Sequence, residues 1–341
     1  MAVKKRTSSG PRLSDIAKKA GVSVPTVSLA LADHPRISLR TKRLVWRISE
    51  EVGYRKARGR GPRALQQPTP GIRRIGLLVT GGRHDDPVMS GLMMCLTAAA
   101  SRLKLTVEMA CLTDPDRASE RVQRSAEFAA GQDGLIVTGH IDAAMVAALE
   151  KLDVPFVVLG SPVGHVTCEC VTYDSEDAGS ISTGALIRQG HTRIGYLSES
   201  MPAGGATHRW HRGHLLALIE AGLTPQAALT QTLDPQRDAV APVLEGLFKN
   251  GGAPTALVVP NPFLAQSVLG WFHQCGRQVP VHTLEIKEML LPAIRELPAV
   301  IISIEQLAEF ALRRLLELSF RHPSLPLLTL VPFELRDLAA P

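Results

Sequence analysis

Residues 23–31 read Ser-Val-Pro-Thr-Val-Ser-Leu-Ala-Leu and place three short hydroxyls among branched and cyclic apolar groups. Thr and Val are poor helix formers, because a branched side chain loses χ1 freedom against the preceding turn. A segment that had only to be a stable helix would favour Ala, Leu, Glu or Lys. Ser23 nevertheless suits an N-cap and Pro25 suits a first turn, so a helix is expected from Val24 to Leu31. Its chemistry is recognition rather than catalysis. Hydroxyls exchange hydrogen bonds with phosphate oxygens and base edges, and methyl groups pack on the C5-methyl of thymine. Short side chains let a helix axis come close to a groove, and free N–H groups at its start suit an anion. Ser23, Val24, Pro25, Thr26, Ser28 and Leu29 are the candidate contacts.

Two other groupings could do chemistry. His165, Cys168 and Cys170 form an H-x-x-C-x-C cluster that could hold zinc, but no fourth ligand is evident, and cysteine often serves as a small buried hydrophobe. No metal and no cofactor are expected. His208, His211 and His214 recur along one expected helix, with the last two able to share a face. No P-loop, G-x-S-x-G, H-E-x-x-H or G-x-G-x-x-G pattern is present, and an enzyme is not expected.

The elements that must position the hydroxyl-rich helix lie on either side of it. Leu13, Ile16, Ala17 and Ala20 recur at helical spacing, with Ser14 or its predecessor as cap and Asp15 in the first turn. Gly21 suits the left-handed turn between two helices. Val22, Val27, Ala30 and Leu31 are the expected inward set. A third helix is expected from Leu39 to Val52, capped by Ser38, with Leu44, Val45, Ile48 and Val52 as its apolar stripe and Gly53 as its stop. Two short helices around a Gly turn, braced by a third, describe a helix-turn-helix, whose second helix enters the major groove.

Charge separates this head from the rest. The 341-residue chain carries a net +6, yet residues 1–74 hold 18 Lys and Arg against four acids, Asp15, Asp33, Glu50 and Glu51, a net of +14. The remaining residues hold 20 basic against 28 acidic, a net of −8. A basic head on an acidic body calls for a polyanionic partner at the head alone. The five cysteines are too few for a disulfide framework and read as reduced cytoplasmic thiols. No apolar run is long enough for a transmembrane helix, and the charged start, MAVKKRTSSG, is not followed by an apolar stretch, so neither a membrane partner nor a secretory leader is expected.

LSDIAKKAGVSVPTVSLAL followed by ISLRTKRLVWRISEEVGY resembles the head of the lactose-repressor (LacI/GalR) family of bacterial transcription regulators. The family pattern is D-V-A-x-x-A-G-V-S-x-x-T-V-S-R-x-L, then a Ser/Thr-capped helix ending in G-Y. Asp15, Ala17, Ala20, Gly21, Val22, Ser23, Thr26, Val27, Ser28, Leu31, Gly53 and Tyr54 match it. The resemblance implies that Val24 and Pro25 sit at base-reading positions, that Thr26 and Ser28 touch phosphate or base, and that Tyr54 touches a phosphate. Arg36, Arg40, Lys42 and Arg43 are candidate phosphate contacts. Where the family commonly carries a guanine-reading Arg after the V-S pair, this chain has Leu29. Leucine either contacts thymine methyls or leaves that base pair unread.

The domain organisation expected is a flexible arm over 1–11, a helix-turn-helix domain over 12–57, a linker over 58–74 and an effector-binding, dimerising body over 75–341. Relatives carry in the linker a short helix that pushes a leucine into the minor groove and kinks the DNA. Here Gly59, Gly61 and Pro62 interrupt that pattern. Either a one-turn helix over 62–67 still presents Leu65, or the segment, Arg58 included, is an extended arginine arm along phosphates or a narrow minor groove. The arm is the preferred reading.

In the body, short apolar runs alternate with helical stretches. Strands are expected near Ile75–Val79, Thr106–Ala110, Leu135–Thr138, Phe156–Leu159, Arg193–Leu197 and Ala256–Val259, with helices between them, including Val88–Leu103 and Ser175–Gln189. That alternation argues for parallel sheets covered on both faces, with ligands beyond the carboxyl ends of the strands. The body resembles the same family more loosely, through VTYDSEDAGSISTGALIRQGHTRIGYL, VPFVVLG and PTALVVPNPFLAQSVLGWFHQCGRQVP. The resemblance implies a two-lobed α/β, periplasmic-binding-protein-like fold. Lobe one is expected over about 75–160 plus 304–322, and lobe two over about 161–303 plus 323–341. It also implies a small-molecule effector in the cleft and a homodimer or tetramer on a near-palindromic double-stranded DNA operator. Candidate cleft residues are Asp86, Ser161, Asp174, Arg209, Trp210 and Asn261. The cleft departs from the family. The usual A-N-D reads Pro260-Asn261-Pro262, the usual V-G-F-D-D reads Leu284-Glu285-Ile286-Lys287-Glu288, and the arginine three positions before Gly213 is Trp210. The expected function is a cytoplasmic transcription regulator, in the repressor sense, controlled by a sugar or related metabolite. The alternatives are a regulator with a degenerate cleft that answers to a protein partner, and a soluble ligand-binding protein.

Overall fold

The computed structural model describes residues 13–31, 41, 44, 45, 48, 49, 72–81, 87–112, 118–152, 154–160, 168–199, 205–233, 239–249, 252–318 and 327–336. In the head, helices Leu13–Ala20 and Val24–Leu31 flank Gly21, whose φ of 66° lies in the left-handed region that glycine adopts without penalty. The Val22 N–H returns to the Ala17 carbonyl at 3.2 Å and closes the turn. Ser14 lies inside the first helix rather than at its cap. Ile16, Ala17, Val27, Ala30, Val45 and Ile48 form one small core, with Leu13, Ala20, Val22 and Leu44 packed on it. Thr41, Leu44, Val45, Ile48 and Ser49 are helical, in keeping with a third bracing helix. Its expected ends at Leu39 and Val52 lie outside the described residues.

Among the described residues the body holds two six-stranded sheets. The first comprises β1 (Arg74–Thr80), β2 (Thr106–Leu112), β3 (Gly134–Gly139), β4 (Phe156–Leu159), β5 (Cys170–Thr172) and β11 (Leu328–Leu330), in the order β11-β5-β4-β3-β1-β2. The second comprises β6 (Ile194–Glu199), β7 (Thr230–Leu233), β8 (Ala256–Val259), β9 (Val281–Ile286), β10 (Ala299–Ile302) and β12 (Glu334–Arg336), in the order β12-β10-β9-β8-β6-β7. Among the described residues every pairing is parallel except β10 with β12. Central strands are buried along most of their length. Ile75–Thr80 and Val281–Ile286 have no exposed position, as a sheet covered on both faces requires.

The expected division at residue 160 is corrected by this pairing. Cys170–Thr172, placed by expectation in lobe two, pairs with β4 in the first sheet, so the chain first crosses after β5. The terminal segment is likewise shared, because β11 joins the first sheet and β12 the second. Strands β5, β7, β9, β10, β11 and β12 were not among the expected ones. Most are short, and such short apolar runs carry no period of their own.

Candidate nucleic-acid interface and effector cleft

The head presents one face of its second helix. Ser23 accepts the Thr26 N–H at 3.2 Å, and its Oγ lies 2.8 Å from Thr26 Oγ1. This is an N-cap bond of the kind that contributes about 1 kcal/mol. The Ser23 and Thr26 hydroxyls therefore hold each other, and Thr26 is half-buried. Val27 and Ala30 are fully buried, while Val24, Pro25, Ser28 and Leu29 are exposed. Of the other candidate DNA contacts, Arg36, Arg40, Lys42, Arg43, Tyr54, Arg58 and Leu65 lie outside the described residues.

The cleft is where the two sheets bring their carboxyl ends together. A Cβ on Gly91, in helix Pro87–Arg102 after β1, would stand 2.8 Å from Ile304 Cδ1 and 3.8 Å from Met289 Cε, so the segments that follow β1, β9 and β10 meet. Asp174 and Asn261 sit at carboxyl ends, after β5 and β8, but each acts as a helix cap. Asp174 Oδ1 accepts the Glu176 and Asp177 N–H groups at 3.2 and 3.0 Å. Asn261 Oδ1 accepts those of Phe263 and Leu264 at 2.8 and 3.0 Å. Trp210 is 1% exposed and donates its Nε1 hydrogen to Tyr173 Oη at 3.1 Å. Its ring belongs to the apolar core and offers no open stacking face. Arg209 is half-buried and close enough to β5 to act on Cys170. Asp86 and Ser161 lie outside the described residues.

Glu288, in the segment after β9, stands last in the stretch that departs from the family's V-G-F-D-D and is not among the candidate cleft residues. Its carboxylate takes the Ser303 hydroxyl together with the Ile304 and Glu305 N–H groups, the latter two at 3.0 and 3.2 Å. Ser303 Oγ in turn accepts the Gln306 N–H at 3.1 Å. A loop of the second lobe thus caps helix Ile304–Leu318, which packs on helix Pro87–Arg102 and on β4 in the first lobe. Anionic charge at a helix N-terminus is favoured by the dipole. No local pattern announces this cap, because its partners lie 15–17 residues further along the chain.

Beneath the cleft, helices Ser175–Arg188 and Ala206–Glu220 touch backbone to backbone. A Cβ on Gly179 would stand 2.1 Å from the Trp210 carbonyl oxygen, and one on Gly213 would stand 1.9 Å from that of Glu176. A mid-helix Gly is the sequence signal for such an approach. His214, 2% exposed, lies in this seam with Nδ1 2.9 Å from Thr183 Oγ1. Thr183 donates its own hydrogen to the Gly179 carbonyl at 2.9 Å, so His214 is the donor to it and carries its proton on Nδ1. Burial, and then His211, push the His214 pKa down to about 3. The rings of His211 and His214 stack at 6.2 Å, and Tyr196 lies 4.8 and 5.4 Å from them. Burial pushes the Cys168 thiol up to about 11 and the Cys170 thiol up to about 12, the latter against a downward pull from Arg209. Both thiols are protonated at neutral pH. His165 lies outside the described residues, and among those described no group of three or more His, Cys, Asp or Glu is placed to hold a metal. No helix among them is long and apolar enough to cross a membrane.

A basic helix-turn-helix head on a two-lobed body with parallel sheets defines a DNA-binding transcription regulator with a ligand-sensing domain. Residues 12–56 match the family model for bacterial regulatory proteins of the lacI family, and residues 183–318 match that for the periplasmic binding protein-like domain. The chain thus carries a lacI-type helix-turn-helix domain ahead of a periplasmic-binding-protein-like domain. It is 27% identical over 270 residues to the HTH-type transcriptional repressor PurR of Aliivibrio salmonicida, covering 79% of each chain. Its fold is similar to that of the transcriptional regulator CelR in complex with cellobiose, with TM-score 0.67, 21% identity, and coverage of 96% of this chain and 98% of that one. It is also similar to the lac repressor dimer bound to operator and the anti-inducer ONPF, with TM-score 0.65, 19% identity, and coverage of 96% and 98%.

Proposed function

We propose that the chain is a cytoplasmic repressor that binds a near-palindromic operator as a homodimer. A sugar or related metabolite in the cleft would shift its lobes between DNA-competent and incompetent arrangements. The observation that carries the reading is the exposed face of helix Val24–Leu31 on a head of net charge +14, held by its own core. Two identical heads on one duplex favour a symmetric site. Repression draws support from the relative named a repressor, and a sugar-class ligand from the fold neighbour in complex with cellobiose.

The test is selection of bound duplexes from a random pool by the purified chain, followed by affinity measured against salt. A two-fold symmetric enriched site with a steep negative salt slope is expected, because each neutralised phosphate releases counterion. Enrichment of no site would sink the reading. A second reading has its own observation. Trp210 is buried against Tyr173, and Asp174 Oδ1 and Asn261 Oδ1 accept from the first-turn N–H groups of their own helices, so these three residues are committed to the fold, which favours control by a protein partner. A saturable rise in melting temperature with a sugar, sugar acid or nucleoside would reject that second reading.

A further inference from the structure

The outward face of helix Val24–Leu31 has an unexpected composition for a surface that meets a polyanion. Val24 and Leu29 are 42% and 38% exposed, and Pro25 and Ser28 are exposed beside them. At 3.6 residues per turn these four fall on one arc of about 140°, away from Val27 and Ala30 in the head core. Three of the four side chains contain only carbon. Ser28 is the arc's one hydroxyl, since Ser23 precedes the helix and Thr26 lies off the arc and half-buried. Nothing on this arc has the forked donor geometry that reads guanine, nor the amide that reads adenine. Carbon side chains recognise one feature in the major groove, the C5-methyl of thymine. The basic head supplies phosphate attraction, which docks the helix and carries no sequence information.

We infer that Val24 and Leu29 read thymine methyl groups, so that each operator half-site is specified by where its 5-methyl groups stand rather than by guanine. The inference rests on the DNA-binding reading of this helix and names the chemistry it recognises. Leu29 occupies the position at which the resemblance implies a guanine-reading arginine, and its exposure excludes the simple explanation that it was recruited to the core.

The test uses the full chain and the site it selects from the random pool. Each thymine is replaced in turn by uracil, which removes one methyl and leaves every hydrogen-bonding group in place. Affinity is expected to fall about fourfold at one or two positions in each half-site, the worth of one buried methyl. At those positions 5-methylcytosine should bind better than cytosine by a similar factor. In Leu29→Ala the uracil effect should vanish at one position and persist at the other. A specific site whose affinity no uracil changes overturns the inference and leaves the operator reading standing. Enrichment of no site removes both. An oligomer that Leu29→Arg dissolves, with DNA affinity unchanged, assigns the face to a second copy of the chain and also overturns it.

Discussion

His214 gives the body a calculable dependence on pH. Its ring is 2% exposed, donates to Thr183 Oγ1 at 2.9 Å and faces the rings of His211 and Tyr196. Burial, with a smaller contribution from His211, lowers its pKa from 6.5 to about 3. Between those values the unfolded chain holds a proton that the folded chain does not. The folded pKa is depressed, so this contribution to stability is complete above about pH 6.5 and is lost as pH falls. The slope approaches 1.4 kcal/mol per pH unit, about 2 kcal/mol between pH 7 and pH 5. In a body of this size that corresponds to a fall in melting temperature of about 4–8 °C. His214→Gln retains an N–H for Thr183 and cannot titrate. It should start less stable at pH 7, then lose about 2 kcal/mol less than the parent on acidification to pH 5. Urea denaturation of both proteins at half-unit intervals measures the difference between the curves, in which shared carboxylate effects cancel. Parallel curves would refute a neutral, buried His214.

Two substitutions test other supports of the body. Gly213→Ala places a Cβ 1.9 Å from the Glu176 carbonyl oxygen, a backbone atom that retreats only if the two helices separate. The net loss should be about 2 kcal/mol or more despite alanine's better helix propensity, read by urea denaturation. Glu169→Gln breaks a bidentate pair with Arg314, both bonds at 2.8 Å, where the two side chains are 7% and 12% exposed. Arg314 then keeps only Glu317, at 3.0 Å and at the surface, and the loss of the two buried charged bonds should cost about 2 kcal/mol.

The head and the alternating body are legible because their signals are local. Gly21, the Ser23 cap and the Ile16, Val27 and Ile48 positions each follow from spacing over a few residues, and the structure places them as that spacing requires. Strands such as Ile75–Val79 and Phe156–Leu159 announce themselves as apolar runs. What escapes is long-range. Whether Cys170–Thr172 joins the first sheet or the second depends on partners at Leu159 and Leu328, which its own three residues do not encode. Trp210 fits equally a ligand platform or a core residue until Tyr173 is found beside its Nε1. Asp174 and Asn261 could be recognised as caps from the helices that follow them, and that modest reading is the one their hydrogen bonds bear out.

The chain passes between the two sheets three times: after β5, after β10, and between β11 and β12. These passages lie side by side. The Val331 N–H bonds to the Thr172 carbonyl at 2.7 Å, joining the first to the third, and Glu334 pairs with Ile301, joining the third to the second. In mechanical terms, three parallel straps along one edge make a door hinge rather than a ball joint. Twisting one lobe over the other would break those cross-links, whereas swinging about their common line leaves them intact. The line of that hinge is thus set by the pairing of the two sheets themselves.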